Sequence, residues 1–230
     1  MNSKISILSR MVWLAGALSL LALAQSALAG TISGSKHDFS IGSFATQSGQ
    51  RMCVACHAPH KTDTTIADAP LWNHTTSAAT YTLYSSSSIK AAVTDPNGSS
   101  KLCLSCHDGT VAIDSFGGVV SATGTKMGSL NGGASNLGTN LKASHPIGIA
   151  YTATLSGNDP SLRDPTATSV TIGAGTQKKT GTIQDILLSG GTKLECNSCH
   201  DVHNTFTTDS SGLVKVTASG SAICLTCHAK

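Results

Sequence analysis

The chain has 230 residues, with 15 Lys and Arg against 12 Asp and Glu and a formal net charge of +3. It carries 23 glycines but only four Phe, two Trp and three Tyr. This near-neutral balance lacks the basic footprint of a nucleic-acid partner, and the length suits one ordinary domain.

Residues 1–29 read as a signal peptide. Lys4 and Arg10 form a positive start, Met11 to Leu23 is mostly apolar, and Ala27-Leu28-Ala29 is an A-x-A cleavage site. The apolar run is short for a membrane span, so an uncleaved anchor is the weaker reading. Cleavage leaves residues 30–230 as a single expected domain, with thirteen basic against twelve acidic side chains. That domain is expected outside the cytoplasm, in the periplasm or, by preference, at the extracellular surface. No later apolar segment is long enough to cross a bilayer.

Further along, Lys36-His37-Asp38-Phe39 stands near the new N-terminus, where a histidine is either a ligand or a solvated tail residue. Gln50 to His57 predicts a single helical turn carrying Cys53-Val54-Ala55-Cys56-His57, with His60 three residues on. Trp72, in Leu71-Trp72-Asn73-His74, is suited to pack on a flat apolar group. Cys103-Leu104-Ser105-Cys106-His107 follows, and then Phe116 to Asn140, whose Asn131-Gly132-Gly133 reads as turns and loop. Pro146 holds His145 in an extended segment. Ile147 to Thr152 and Ser169 to Ile172 read as short strands, and Thr182 to Ser189 as a short helix. Cys196-Asn197-Ser198-Cys199-His200 comes next, with His203 three residues beyond. Ala218 to His228 predicts another helical turn, carrying Cys224-Leu225-Thr226-Cys227-His228. The expected fold class is mostly coil with short helices, few short strands and no large sheet.

All eight cysteines thus fall into four Cys-x-x-Cys-His motifs. Zinc sites, thiol redox centres and disulfide frameworks also use paired cysteines, but none of them explains the histidine after each pair. Covalent c-type haem does: two thiols add to the vinyl groups of one porphyrin and the next residue binds its iron. The expectation is four covalently attached haem c groups. Cys53, Cys56, Cys103, Cys106, Cys196, Cys199, Cys224 and Cys227 would attach them, and His57, His107, His200 and His228 would bind iron.

The sixth ligand of each iron tunes its potential and decides whether a substrate can bind. Five histidines remain: His37, His60, His74, His145 and His203. Beyond residue 29 the only methionines are Met52, which adjoins Cys53, and Met127. Bis-histidine irons are therefore expected, with one histidine to spare. His60 and His203 each lie three residues after a motif histidine, so neither swings to the far face of the same haem but each can reach an adjacent one. A surface position or a propionate partner is the alternative for each.

Only eight aromatic residues follow residue 29, so the chain has little core material of its own. A multihaem cytochrome c wrapped around a haem core resolves this, and the haem-free chain is expected to be largely unfolded.

Lys36 to Ser40, Cys53 to His60, Pro70 to His74, Cys103 to Thr110, His145 to Gly148 and Cys196 to Asn204 resemble the extracellular multihaem cytochromes of metal-reducing bacteria. With four motifs and this length, the chain is most similar to the filament-forming, OmcE-type tetrahaem cytochromes. The resemblance implies bis-histidine haems, long coil segments and head-to-tail polymers in which a histidine of one subunit ligates a haem of the next. His37, on an N-terminal arm, is the candidate for that crossing ligand. The expected function is electron transfer, with no catalysis, to redox partner cytochromes or extracellular acceptors. The alternatives are a soluble periplasmic shuttle and a multihaem reductase of a nitrogen oxide.

Overall fold

Runs of glycine, serine and threonine leave few stretches with a helical or alternating apolar period, and most of the chain is coil and turn. The computed structural model describes residues 31–229 except 43, 44, 46, 47, 61–64, 67, 68, 70, 120, 122 and 210. The expected signal peptide lies outside the described residues. Among the described residues no helix is long and apolar enough to cross a membrane.

Five helices lie among the described residues, three of them opened by a side-chain cap. α1 spans Gly98–His107, and the Asn97 side chain accepts the Gly98 N–H at 2.8 Å. α2 spans Ala153–Asn158, where Thr152 accepts from Leu155, and α3 spans Ile183–Ile186, where Thr182 accepts from Asp185. Such hydroxyl caps satisfy donors that the first helical turn leaves free. α4 is the single turn Cys196–Cys199, and α5 is Ala222–Cys227. The described residues of the stretch 116–140 hold short 3-10 turns at Met127–Ser129 and Asn131–Gly133 and single bridges at Phe116, Lys126 and Asn140.

Two small antiparallel sheets lie among the described residues. β1, Ile149–Ala150, pairs with β4, Lys193–Leu194. β2, Ser169–Ala174, and β3, Gln177–Thr182, form a hairpin in register from Ser169 opposite Thr182 to Ala174 opposite Gln177. The expected strand at Ile147 to Thr152 is thus only two residues long, while the second runs two residues past Ile172. Gly173 has φ +80°, and a Cβ there would come within 1.9 Å of the Gln177 carbonyl. Its N–H instead donates to the Lys215 carbonyl at 3.0 Å and docks the hairpin on the loop after the third motif.

Apolar burial is split between two clusters. Ile66, Trp72 and Leu102 gather with Cys56 beside the first two motifs. Tyr151, Ile172, Ile183, Leu187 and Leu188 gather beside the last two, with Leu162, Phe206, Val216 and Cys227 against them. The clusters meet through α1 and α4: Ser100 Oγ accepts the Cys196 N–H at 3.0 Å. The buried Glu195 carboxyl also accepts from the Ser100 backbone and hydroxyl.

Candidate haem centres

Each motif is one tight turn. In the first, His57 N–H donates to Cys53 O at 2.8 Å. The third and fourth repeat that bond, from His200 to Cys196 and from His228 to Cys224. The second motif lies instead at the end of the ten-residue α1. The helical turn expected over Gln50 to His57 is therefore confined to the motif, since Gln50 itself is left-handed at φ +60°.

Three motifs are held by the same clamp. Asn73 N–H bonds Cys56 O, and Ala58 N–H bonds Leu71 O. Lys215 bonds Cys199 O while Asp201 bonds Leu213 O, and Arg163 bonds Cys227 O while Ala229 bonds Ser161 O. In each case a distant segment runs antiparallel to the motif histidine: His57 opposes Trp72, His200 opposes Val214 and His228 opposes Leu162. The second motif differs, because Leu137 N–H bonds the His107 carbonyl itself at 2.7 Å.

None of the eight cysteines pairs in a disulfide. Burial pushes Cys56 and Cys227 up to about 11 and raises Cys106 and Cys199 as well. A hydrogen bond between Cys103 and Cys196 raises the first and lowers the second. Apolar surroundings therefore hold most of these sulfurs neutral, the state that a buried thiol and a thioether share. Cys106 also feels Cys56, and Cys227 feels Cys199 across a cleft lined by Leu187, Leu194, Val216 and Ile223. The attachment points are thus neighbours in the order first, second, third, fourth.

The histidines converge in pairs. His57 lies against His203 with ring centres 6.1 Å apart, His107 against His37 at 6.0 Å, and His228 against His145 at 6.4 Å. Metal–imidazole bonds of about 2 Å on opposite sides of one iron require ring centres roughly 6 Å apart. The three separations fit that requirement, and each pair contains one motif histidine. Among the described residues no group of three or more His, Cys, Asp or Glu is placed to hold a bare metal ion.

Hydrogen bonds orient these rings. Nδ1 of His107 donates to Ser135 O at 2.8 Å, Nδ1 of His200 to Gly212 O at 2.8 Å, and Nδ1 of His145 to Pro146 O at 3.0 Å. A carbonyl only accepts, so the proton is on Nδ1 and the Nε2 lone pair is left for a metal. The glycine-rich stretch supplies the Ser135 carbonyl. Gly109, at φ +71°, leaves that loop its space, since a Cβ there would stand 2.5 Å from Asn136 Oδ1.

His37 is half-buried beside His107. Burial, aided by His107, lowers it to about 4, and its buried Nδ1 has no partner. His74 is also buried, and its two ring nitrogens face the carbonyls of Thr75 at 2.8 Å and Ala112 at 3.1 Å. His60 is exposed. Among the described residues no histidine ring lies against that of His200.

Two aspartates that sequence reasoning passed over shape these sites. Asp201 accepts the N–H groups of His203, Thr205 and Phe206, and so builds the loop that presents His203. Asp108 accepts from Ser77, Tyr81 and Thr110 just beyond His107. Burial acts to raise Asp108, but these hydrogen bonds outweigh it and hold the carboxyl below its usual range. The available signal was an Asp directly after the motif histidine, a residue type that folds local turns through its own backbone.

Residues 190–230 match the family model of the doubled CXXCH motif. No curated protein matches the chain. The doubled motif points to a multihaem c-type cytochrome that binds haem covalently and transfers electrons.

Proposed function

We propose that this chain carries four bis-histidine c-type haems and conducts electrons through them as a subunit of an extracellular cytochrome filament. The observation that carries the electron-transfer reading is the set of three histidine pairs with ring centres 6.0 to 6.4 Å apart. When bound, haem supplies a one-electron iron couple; a bis-histidine iron offers no open position to a substrate.

The chain's own residues attach, orient and enclose. The eight cysteines fix the porphyrins, and adjacency of the attachment points in chain order favours a continuous path. His57 and His203 serve one iron, His107 and His37 another, and His228 and His145 a third. The carbonyls of Ser135, Pro146 and Gly212 keep Nδ1 protonated and Nε2 outward. The two apolar clusters exclude water beside the attachment cysteines, and the haems complete the core. His74 would be the spare histidine: its nitrogens face the Thr75 and Ala112 carbonyls, with Nε2 also 3.5 Å from Cys106 Sγ.

The iron at His200 remains for His60. His60 follows the first motif as His203 follows the third, and it is exposed. In the filament reading, which rests on the sequence resemblance, His60 ligates the His200 iron of a neighbouring copy. Such a heterologous contact leaves both ends open for growth. This role passes to His60 because His37 is engaged within its own chain.

A pyridine haemochrome assay is expected to give four haems per chain, and the reduced protein is expected not to bind carbon monoxide. Two haems per chain, or carbon monoxide binding by the assembled protein, would overturn the reading. Electron micrographs of the secreted protein test the filament: H60A is expected to keep four haems and lose the polymer.

A further inference from the structure

Two leucines occupy the left-handed region of backbone space at the same place in two clamps: Leu71 at φ +55° and Leu213 at φ +52°. Bulky L-residues rarely adopt this conformation. Side-chain packing does not impose it, because Leu71 is 54% exposed while Leu213 is 3% exposed. Nor does the clamp require it. Ser161 makes the same bond to Ala229 without a positive φ.

The third motif shows what the conformation accomplishes. Leu213 O accepts the Asp201 N–H at 2.8 Å, and Gly212 O accepts Nδ1–H of His200, also at 2.8 Å. In an extended segment, successive carbonyls point to opposite edges, so only one of the two could face the motif. The left-handed residue between them turns both to the same side. The loop that delivers it is tight: Val214 N–H bonds Asp209 O, and Thr208 N–H bonds Val214 O.

We infer that Leu213 is a positioning residue for the haem ligand His200: its left-handed backbone aims the Gly212 carbonyl at Nδ1 and so fixes the ring nitrogen that faces iron. The inference rests on the haem reading given above. A carbonyl on Nδ1 makes the imidazole a stronger donor and stabilises the oxidised iron, so the bond keeps the potential of that haem low. Leu71, before the residue opposing His57, repeats the positive φ and the carbonyl bond to the motif, from Ala58 N–H.

The test uses the haem-loaded protein with L213G, which accepts a positive φ, and L213V, which resists it. The readouts are a potentiometric titration and the low-spin ferric electron paramagnetic resonance spectrum. L213V is expected to shift one of the four redox steps to higher potential and alter one ferric signal, with the other three unchanged. L213G is expected to match the parent in both. A packing role predicts the reverse order, since valine keeps an apolar side chain that glycine removes. The inference is overturned if L213V matches the parent, or if both variants disturb the same step alike. Should L213V not mature, L213N and L213A make the same comparison, because asparagine enters the left-handed region more readily than alanine. Failure of the haem reading shows separately, as a parent protein with fewer than four haems by pyridine haemochrome.

Discussion

His57 and His203 belong to different motif segments, yet their rings stack 6.1 Å apart with planes only 15° from parallel. His203 is aimed there by a loop folded around Asp201, and His57 is held by its bridge to Trp72. The third attachment segment therefore places His203 beside the motif histidine of the first.

If His203 is a sixth ligand as proposed, replacing it with alanine removes that ligand and leaves every thioether in place. The variant is expected to retain four haems and to bind one carbon monoxide when reduced, while the parent binds none. Optical titration of the reduced protein measures both.

Asp201→Ala strips acceptors from the N–H groups of His203, Thr205 and Phe206. These bonds are exposed or half-buried, so thermal unfolding should show a loss of about 0.5–1.5 kcal/mol. Partial carbon monoxide binding is expected with it, because the loop then holds His203 loosely. A variant as stable as the parent would show that the Asp201 bonds are dispensable.

Glu195 is buried, its Oε2 has no partner, and burial raises its carboxyl above the usual range against the opposing hydrogen bonds from Ser100. A raised acid favours folding while it is protonated, and that contribution is lost as pH rises through its folded value. Glu195→Gln keeps an acceptor for Ser100 without the buried charge. The melting temperature of the variant relative to the parent is expected to increase from pH 4.5 to pH 8, and a constant difference would contradict this.

Gly109→Ala places a methyl against Asn136 and forces a side chain into positive φ. The expected cost is of order 1–3 kcal/mol. Because the displaced loop carries the Ser135 carbonyl that orients His107, one redox step should also shift, which voltammetry of the purified protein would detect.

The chain without haem should not fold cooperatively. Its two apolar clusters hold eight buried residues and do not merge into one core. Circular dichroism and limited proteolysis of protein made without haem attachment are expected to show a largely unfolded, rapidly cleaved chain. A sharp thermal transition would argue that the polypeptide supplies its own core.

The short helical turn at the fourth motif, the helix after Thr182 and the loops of the glycine-rich stretch were readable locally, because caps, glycines and motif spacing act over a few residues. The length of α1 was not, since Gly98–His107 is stabilised through Ser100 by residues almost a hundred positions away. His37 read as a tail ligand for a neighbouring molecule; within the single chain it lies beside His107, and Asn204 Nδ2 donates to Thr31 O at 3.1 Å.

The attachment chemistry is a property of sequence alone: two thiols and an imidazole must be contiguous to grip one porphyrin edge and its iron, so five adjacent residues state it completely. The pairing of His57 with His203, His107 with His37 and His228 with His145 is not contiguous. It depends on clamps between segments far apart in the chain and on backbone carbonyls whose direction no residue type specifies, and so it exists only once the chain has closed on itself.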